Sequence, residues 1–265
     1  DNFGAQAVTA GHNAFGGNMK DVRPNACPDP VAIPDAIRSA AFPMRVEVER
    51  LANGVYLLGG GTHNSVAVEF ATFTAVYDAP LSEARSLAVI EEIVRRIPDK
   101  PIRFVVNSHP HFDHASGLSA AVAEGATILT HSNNEQVLER LLSGPRTLTG
   151  DSLSKVTSKR TDVVQGVGDR DVRKGNNGKV VELVRIPNEH SDGMLAVFLP
   201  AEKVVWSADI TAVNPNPGQL ATVRAANETL NNKLKLDYSS WIQAHPPNPD
   251  KPLTKADVVA AAGTK

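Results

Sequence analysis

The sequence predicts an α+β fold in which two stacked β-sheets carry helices on their outer faces, and three observations support it. Short apolar or alternating runs of strand length come in clusters, and each cluster is followed by segments with helical spacing. That order of strands then helices occurs twice along the chain. A length of 265 residues with 42% hydrophobic and 21% charged residues is enough for one large domain with a substantial core.

Residues 1–44 are rich in Gly, Asn and Pro (Gly16, Gly17, Asn18, Pro24, Pro28, Pro30, Pro34) and have no periodic apolar pattern, so they read as a loosely ordered arm ahead of a domain spanning 45–265. From Arg45 the pattern turns β-like: Val46, Val48, the run Val55 to Leu58, then Ser65 to Phe70 and Phe73 to Tyr77. Ser82 is placed to cap a helix whose Ile90, Ile93, Val94 and Ile97 recur at helical spacing until Pro98 stops it. Ile102 to Val106 has strand length and Gly117 to Glu124 reads as a short helix, which makes the segment between them a strand-to-helix loop. Ala126 to Thr130 is the next strand, and Ser132 is expected to cap a helix with Val137, Leu141 and Leu142 on one face.

Residues 143–179 are polar, with Gly166, Gly168, Gly175 and Gly178, and are longer than an ordinary connection, so a lid or surface excursion is expected. Strands follow at Val180 to Ile186, Met194 to Leu199 and Val204 to Ser207, then a helix near Thr222 to Leu234. A last helix starts from Thr254, where Thr254 and Asp257 form a capping-box pattern.

Several function classes are excluded early. A net charge of −2 from mixed signs leaves no basic face for nucleic acid. No run of about 18 apolar residues exists, so no membrane span is expected. The one cysteine, Cys27, cannot form an internal disulfide or a paired-thiol metal site. No Gly-x-Ser-x-Gly elbow is present, and Gly59-Gly60-Gly61 lacks the Lys-Ser or Lys-Thr of a phosphate cradle. The chain opens on Asp1 with no basic-then-apolar leader, which suits a processed mature form or a trimmed chain and leaves a periplasmic or secreted location open.

The chemistry concentrates in Asn107-Ser108-His109-Pro110-His111-Phe112-Asp113-His114-Ala115-Ser116-Gly117. Neutral imidazole and carboxylate are good donors for zinc, and iron or manganese accept the same types. Alternate residues of an extended segment point the same way, so His109 and His111 can grip one ion while Asp113 and His114 turn toward a second as the loop closes. Two ions need donors from distant sequence. His190 follows a strand, Asp209 ends the run Val204 to Ala208, and His245 follows Trp241 to Ala244. Singly, each of the three is as easily a loop or turn residue; their order after the six-residue motif is what makes them candidates.

The series His109-x-His111-x-Asp113-His114, then His190, Asp209 and His245, resembles the ligand series of the metallo-β-lactamase superfamily over about residues 45–262. The resemblance implies a four-layer αββα sandwich. It also implies two zinc ions, the first on His109, His111 and His190, the second on Asp113, His114 and His245, with Asp209 bridging. Asp78 matches the family's acidic residue behind the metal loop, which orients a ligand. Gly61 to Ser65 and His190 to Met194 look similar to secreted bacterial members of undefined substrate, and His63 is expected at the pocket mouth in contact with substrate. The sequence departs from many relatives at Pro246, where glycine is usual, and at Ser191, where threonine is common.

A metal-bridging hydroxide attacking a small-molecule substrate, with Asp113 orienting the water, is the expected mechanism. The favoured reaction is opening of a cyclic amide or ester, lactonase-like or β-lactamase-like. A bridging Asp209 is the pattern of lactonases, glyoxalase II and phosphodiesterases, and true β-lactamases of the superfamily usually lack it. Thioester or phosphoester hydrolysis, and an iron-dependent persulfide dioxygenase-like oxidoreductase, stand as alternatives on the same fold; a metal-free binding protein is disfavoured because all seven ligand types are intact.

Overall fold

The structure, a computed structural model, describes residues 44–146, 150–157, 160–210, 212, 215–245 and 252–263. The expected arm over residues 1–44 lies outside the described residues except for Met44, as does Pro246.

A seven-stranded sheet runs in the order β1 (Glu47–Ala52), β2 (Val55–Gly59), β3 (Ser65–Glu69), β4 (Thr74–Tyr77), β5 (Ile102–Val106), β6 (Thr127–His131) and β7 (Val164–Val167). Its first four strands are antiparallel neighbours, and β4 to β7 run parallel. The second sheet has five strands in the order β12 (Ser240–Gln243), β11 (Val204–Ser207), β10 (Leu195–Leu199), β9 (Val180–Arg185) and β8 (Arg170–Lys174). Here β11 and β12 are parallel and the other pairs antiparallel.

Side-chain alternation explains why the sheets stack. On β10, Leu195, Val197 and Leu199 face the first sheet, while Ala196 and Phe198 face the outer helices; on β3, Val66 and Val68 face inward and Ala67 outward. Each buried Leu or Val contributes about 1.5–3 kcal/mol. The outer face of the first sheet is covered by α1 (Glu83–Arg96), α3 (Leu118–Ala123) and α4 (Ser132–Ser143), with the one-turn α2 (Phe112–Ala115) lying between α1 and α3 in the chain. The outer face of the second is covered by α5 (Pro217–Ala226), a π-helical turn (Asn227–Lys233) and α6 (Lys255–Gly263). The result is the αββα order of layers. Among the described residues, no helix is long and apolar enough to cross a membrane.

Local signals hold in several places. Ser82 accepts from the Arg85 N–H as the α1 cap, and Thr254 and Asp257 exchange the bonds of a capping box. Elsewhere the structure corrects the sequence reading. His131 is the cap of α4, its Nδ1 accepting from Asn133 N–H, and Ser132 is already helical. The helix expected from Thr222 begins at Pro217, because Asn216 and Gln219 form a capping box there. Within the expected lid, residues 164–174 are edge strands of both sheets rather than a surface excursion. On β8 charge occupies both faces, with Arg170 and Lys174 exposed on one and Asp171 and Arg173 half-buried on the other, which hides the apolar alternation a strand is read from.

Candidate metal centre

All the candidate residues lie at one end of the sandwich, where β4, β5, β11 and β12 end and the connections β2–β3 and β9–β10 turn. Two hydrogen bonds between the sheets fix that end: Leu195 N–H donates to the Ser108 carbonyl at 2.9 Å, and Asn64 N–H donates to the Ala244 carbonyl at 2.6 Å. The first places the metal loop beside the His190 turn. The second places the His63 loop beside His245.

β5 delivers the loop. Ser108 N–H and Oγ–H donate to the two oxygens of Asp78, at 2.7 and 2.8 Å, and Ser108 Oγ lies 3.1 Å from His109 Nδ1. The chain then turns into α2 with His111 as its cap, the His111 carbonyl accepting from the N–H groups of His114 and Ala115. This short helix, where the sequence reading has only loop, swings Asp113 and His114 away from His109 and His111. Gly117 ends the turn against Ala79 and Ser86; a Cβ there would stand 1.9 Å from Ser86 Oγ, so only glycine fits.

The ligand atoms form two groups. His109, His111, His190 and Asp209 make one, and His63, Asp113, His114 and His245 the other, with the ligand atoms of each group within 4.8 Å of one another. In the first, His109 Nε2 is 2.9 Å from His111 Nδ1 and 3.2 Å from His190 Nε2. Three imidazole nitrogens converging at such distances cannot all be satisfied by one another's protons. A shared cation satisfies them, and the spacing is close to the ~3.3 Å edge of a tetrahedral zinc–nitrogen site.

Asp209 stands between the groups. Its Oδ2 lies 3.0 Å from His109 Nε2 and 2.7 Å from His190 Nε2; its Oδ1 lies 3.0 Å from His114 Nε2 and 2.7 Å from His245 Nε2. Burial works against its charge, but hydrogen bonds from the four imidazoles hold its carboxyl far below the ordinary carboxylate range. His114, fully buried, sits between two carboxylates, with Asp78 Oδ2 on Nδ1 at 2.8 Å and Asp209 on Nε2. Burial lowers it, yet Asp78 and Asp209 outweigh burial and push it up to about 10 in the metal-free protein. For Asp113, burial raises the carboxyl, and His114, a backbone hydrogen bond and His63 together outweigh it, leaving the net value lowered.

Asp78 and Asp209 share a backbone signature. Both follow the last residues of a strand and both adopt left-handed φ, +59° and +50°, a conformation unfavourable for a non-glycine residue.

The structure thus brings His109, His111, His190 and Asp209 together, brings Asp113, His114 and His245 together beside them, and sets Asp78 behind His114. His63 is not at the mouth: it is 5% exposed, with Nε2 3.4 Å from Asp113 Oδ2 and its ring 3.9 Å from that of His245. Burial, then His245 and His114 beside it, hold it below the ordinary histidine value. Sequence reasoning missed three supporting residues. Ser108 ties Asp78 to His109; Asn188 Oδ1 accepts from the N–H groups of His190 and Ser191 and so presents His190; Asn64 ties the His63 loop to β12. Only Ser108, next to the motif, offered a signal. Phe112, within the motif, projects 81% exposed at the rim.

The model of the metallo-β-lactamase superfamily matches residues 58–239. No curated protein matches the sequence. Among solved structures, a metallo-β-lactamase from Pontibacter korlensis is similar with TM-score 0.60 at 12% identity, over 82% of this chain and 97% of its own. The DIM-1 metallo-β-lactamase is similar with TM-score 0.60 at 12% identity, over 82% and 95%. The FIM-1 metallo-β-lactamase from Pseudomonas aeruginosa, in its mono-zinc form, is similar with TM-score 0.56 at 14% identity, over 82% and 93%. At these identities the likeness is one of fold, whereas the family match covers more than half of the chain, and this chain belongs to the metallo-β-lactamase superfamily.

Proposed function

We propose that this chain is a dinuclear metallohydrolase that opens a cyclic ester or amide in a small-molecule substrate, with a lactonase-like reaction favoured over a β-lactamase-like one. The observation that carries the reading is the division of Asp209, one oxygen toward each histidine group. His109, His111 and His190 would hold the first ion, Asp113, His114 and His245 the second, and Asp209 has an oxygen within reach of each. Zinc ions held there supply Lewis acidity and a water activated near neutral pH.

The protein's own groups do the rest. Asp78 and Ser108 fix the His114 ring with Nδ1 outward, leaving Nε2 for the site. Asp113 Oδ2, partly exposed, is positioned to orient the attacking water and to accept its proton. His190 and His245, each more than a third exposed in the side chain, leave the centre open to solvent on one side. The exposed Phe112 offers an apolar surface to the acyl portion of a substrate. A shared carboxylate, which true β-lactamases of the superfamily usually lack, favours the ester reading.

The test is elemental analysis of protein purified without added metal, paired with a chromogenic panel of lactones, lactams, thioesters and phosphoesters with and without chelator. Near two zinc per chain with chelator-sensitive lactone turnover is expected. Bound iron with no hydrolysis would overturn the proposal in favour of an oxidoreductase, and oxygen uptake with thiol substrates would follow.

A further inference from the structure

We propose that His63 is a ligand of the second metal position through Nε2, giving that position a third imidazole that the motif-derived ligand set does not contain. The inference rests on the metal-binding reading above and extends it to a residue outside the six-residue motif and its distant partners.

Three observations support it. The first is distance. Asp113 Oδ2 lies 3.4 Å from His63 Nε2, 3.6 Å from His114 Nε2 and 3.9 Å from His245 Nε2, so His63 is as near to the shared oxygen as the two histidines already assigned. These separations exceed the 2.7–3.2 Å usual for N–H···O hydrogen bonds, and they suit donors spaced around a common cation. The second is ring orientation. Thr62 Oγ1 lies 2.9 Å from His63 Nδ1, which fixes the ring so that Nε2 faces the group. His114, on Asp78, and His109, on Ser108, are held in the same way, with Nδ1 bonded outward and Nε2 toward the centre. An oriented outer nitrogen is what ligating histidines characteristically have.

The third is the backbone. The Asn64 N–H bond to the Ala244 carbonyl, reinforced by Asn64 Nδ2 to the Gln243 carbonyl at 3.3 Å, joins the residue after His63 to the residue before His245. Ring contact between His63 and His245 follows directly. The second position then draws on His63, Asp113, His114, His245 and Asp209, the first on His109, His111, His190 and Asp209. The first position has fewer protein donors, and its His111 is exposed, so a substrate oxygen would enter there.

The experiment is NMR of the full chain labelled with 15N-histidine and loaded with 113Cd alone, reading 113Cd–15N coupling at each ring nitrogen, together with metal titration of His63→Gln. Coupling at Nε2 of His63 is expected, alongside His114 and His245, and His63→Gln should weaken the second equivalent of cadmium about tenfold to a hundredfold while leaving the first unchanged. Coupling at His114 and His245 without His63 would overturn the inference and leave the metal centre standing. So would wild-type affinity for the second equivalent in His63→Gln. No coupling at any histidine would overturn the metal-binding reading with it.

Discussion

The ends of β4 and β11 hold the same device put to different use. Each strand finishes in an aspartate of left-handed φ, Asp78 in the first sheet and Asp209 in the second, and both carboxylates reach His114, one on each ring nitrogen. Asp78 is enclosed: its oxygens are taken by Ser108 and His114, and its side chain has no exposure. Asp209 faces four imidazoles, His109, His114, His190 and His245. The difference teaches that position at a strand end selects the aspartate, while the neighbours decide whether it orients a ligand or serves as one.

The largest expected effect separates the two. Asp209→Asn should remove the charge shared by both groups, lowering kcat/KM by on the order of 10²–10³ or more and reducing metal content toward one ion per chain by elemental analysis. Asp78→Asn should keep both sites and weaken metal binding about 10–100-fold. Equal losses in the two variants would break the comparison.

Next comes His111→Ala, which should abolish most metal-dependent turnover while thermal unfolding of the metal-free protein stays near wild type, because His111 is exposed and buries no core surface. A strongly destabilised variant would mean that the first group carries the fold as well as the chemistry.

A smaller effect, on stability, is expected for Gly117→Ala. Its Cβ would collide with Ser86 and the Ala79 carbonyl, and urea denaturation should show a loss of about 1–3 kcal/mol. Full stability would show that α1 yields easily and does not hold the metal loop in place.

The last expectation is a pH dependence of the metal-free protein. His114 is raised from 6.5 to about 10 in the folded state, so its protonation stabilises the fold fully below pH 6.5, and that contribution is lost as pH rises toward 10. Denaturant midpoints should therefore fall across that window, and Asp78→Asn should flatten the slope. A midpoint that rises from pH 7 to pH 10 would show that other groups dominate.

Much of this was legible residue by residue. His109, His111, Asp113 and His114 lie within six positions, so chemistry and spacing announced a metal loop without any tertiary information. Strand periodicity worked where one face is apolar, as in Val66 and Val68, and failed in Arg170–Lys174, where an edge strand carries charge on both faces. Ser132 looked like a cap, but the adjacent His131 took the position with a ring nitrogen, a substitute that composition rules do not anticipate.

By itself the sequence determined the donor types, their order and the alternation of strands and helices, because each depends on neighbours a few residues apart. Only the tertiary structure decided which oxygen of Asp209 meets which histidines, that His63 lies beside Asp113, and that Asn188 and Asn64 hold the rim. These depend on the Leu195–Ser108 and Asn64–Ala244 hydrogen bonds between sheets. Such contacts join residues 87 and 180 positions apart, and no local pattern records a pairing at that range.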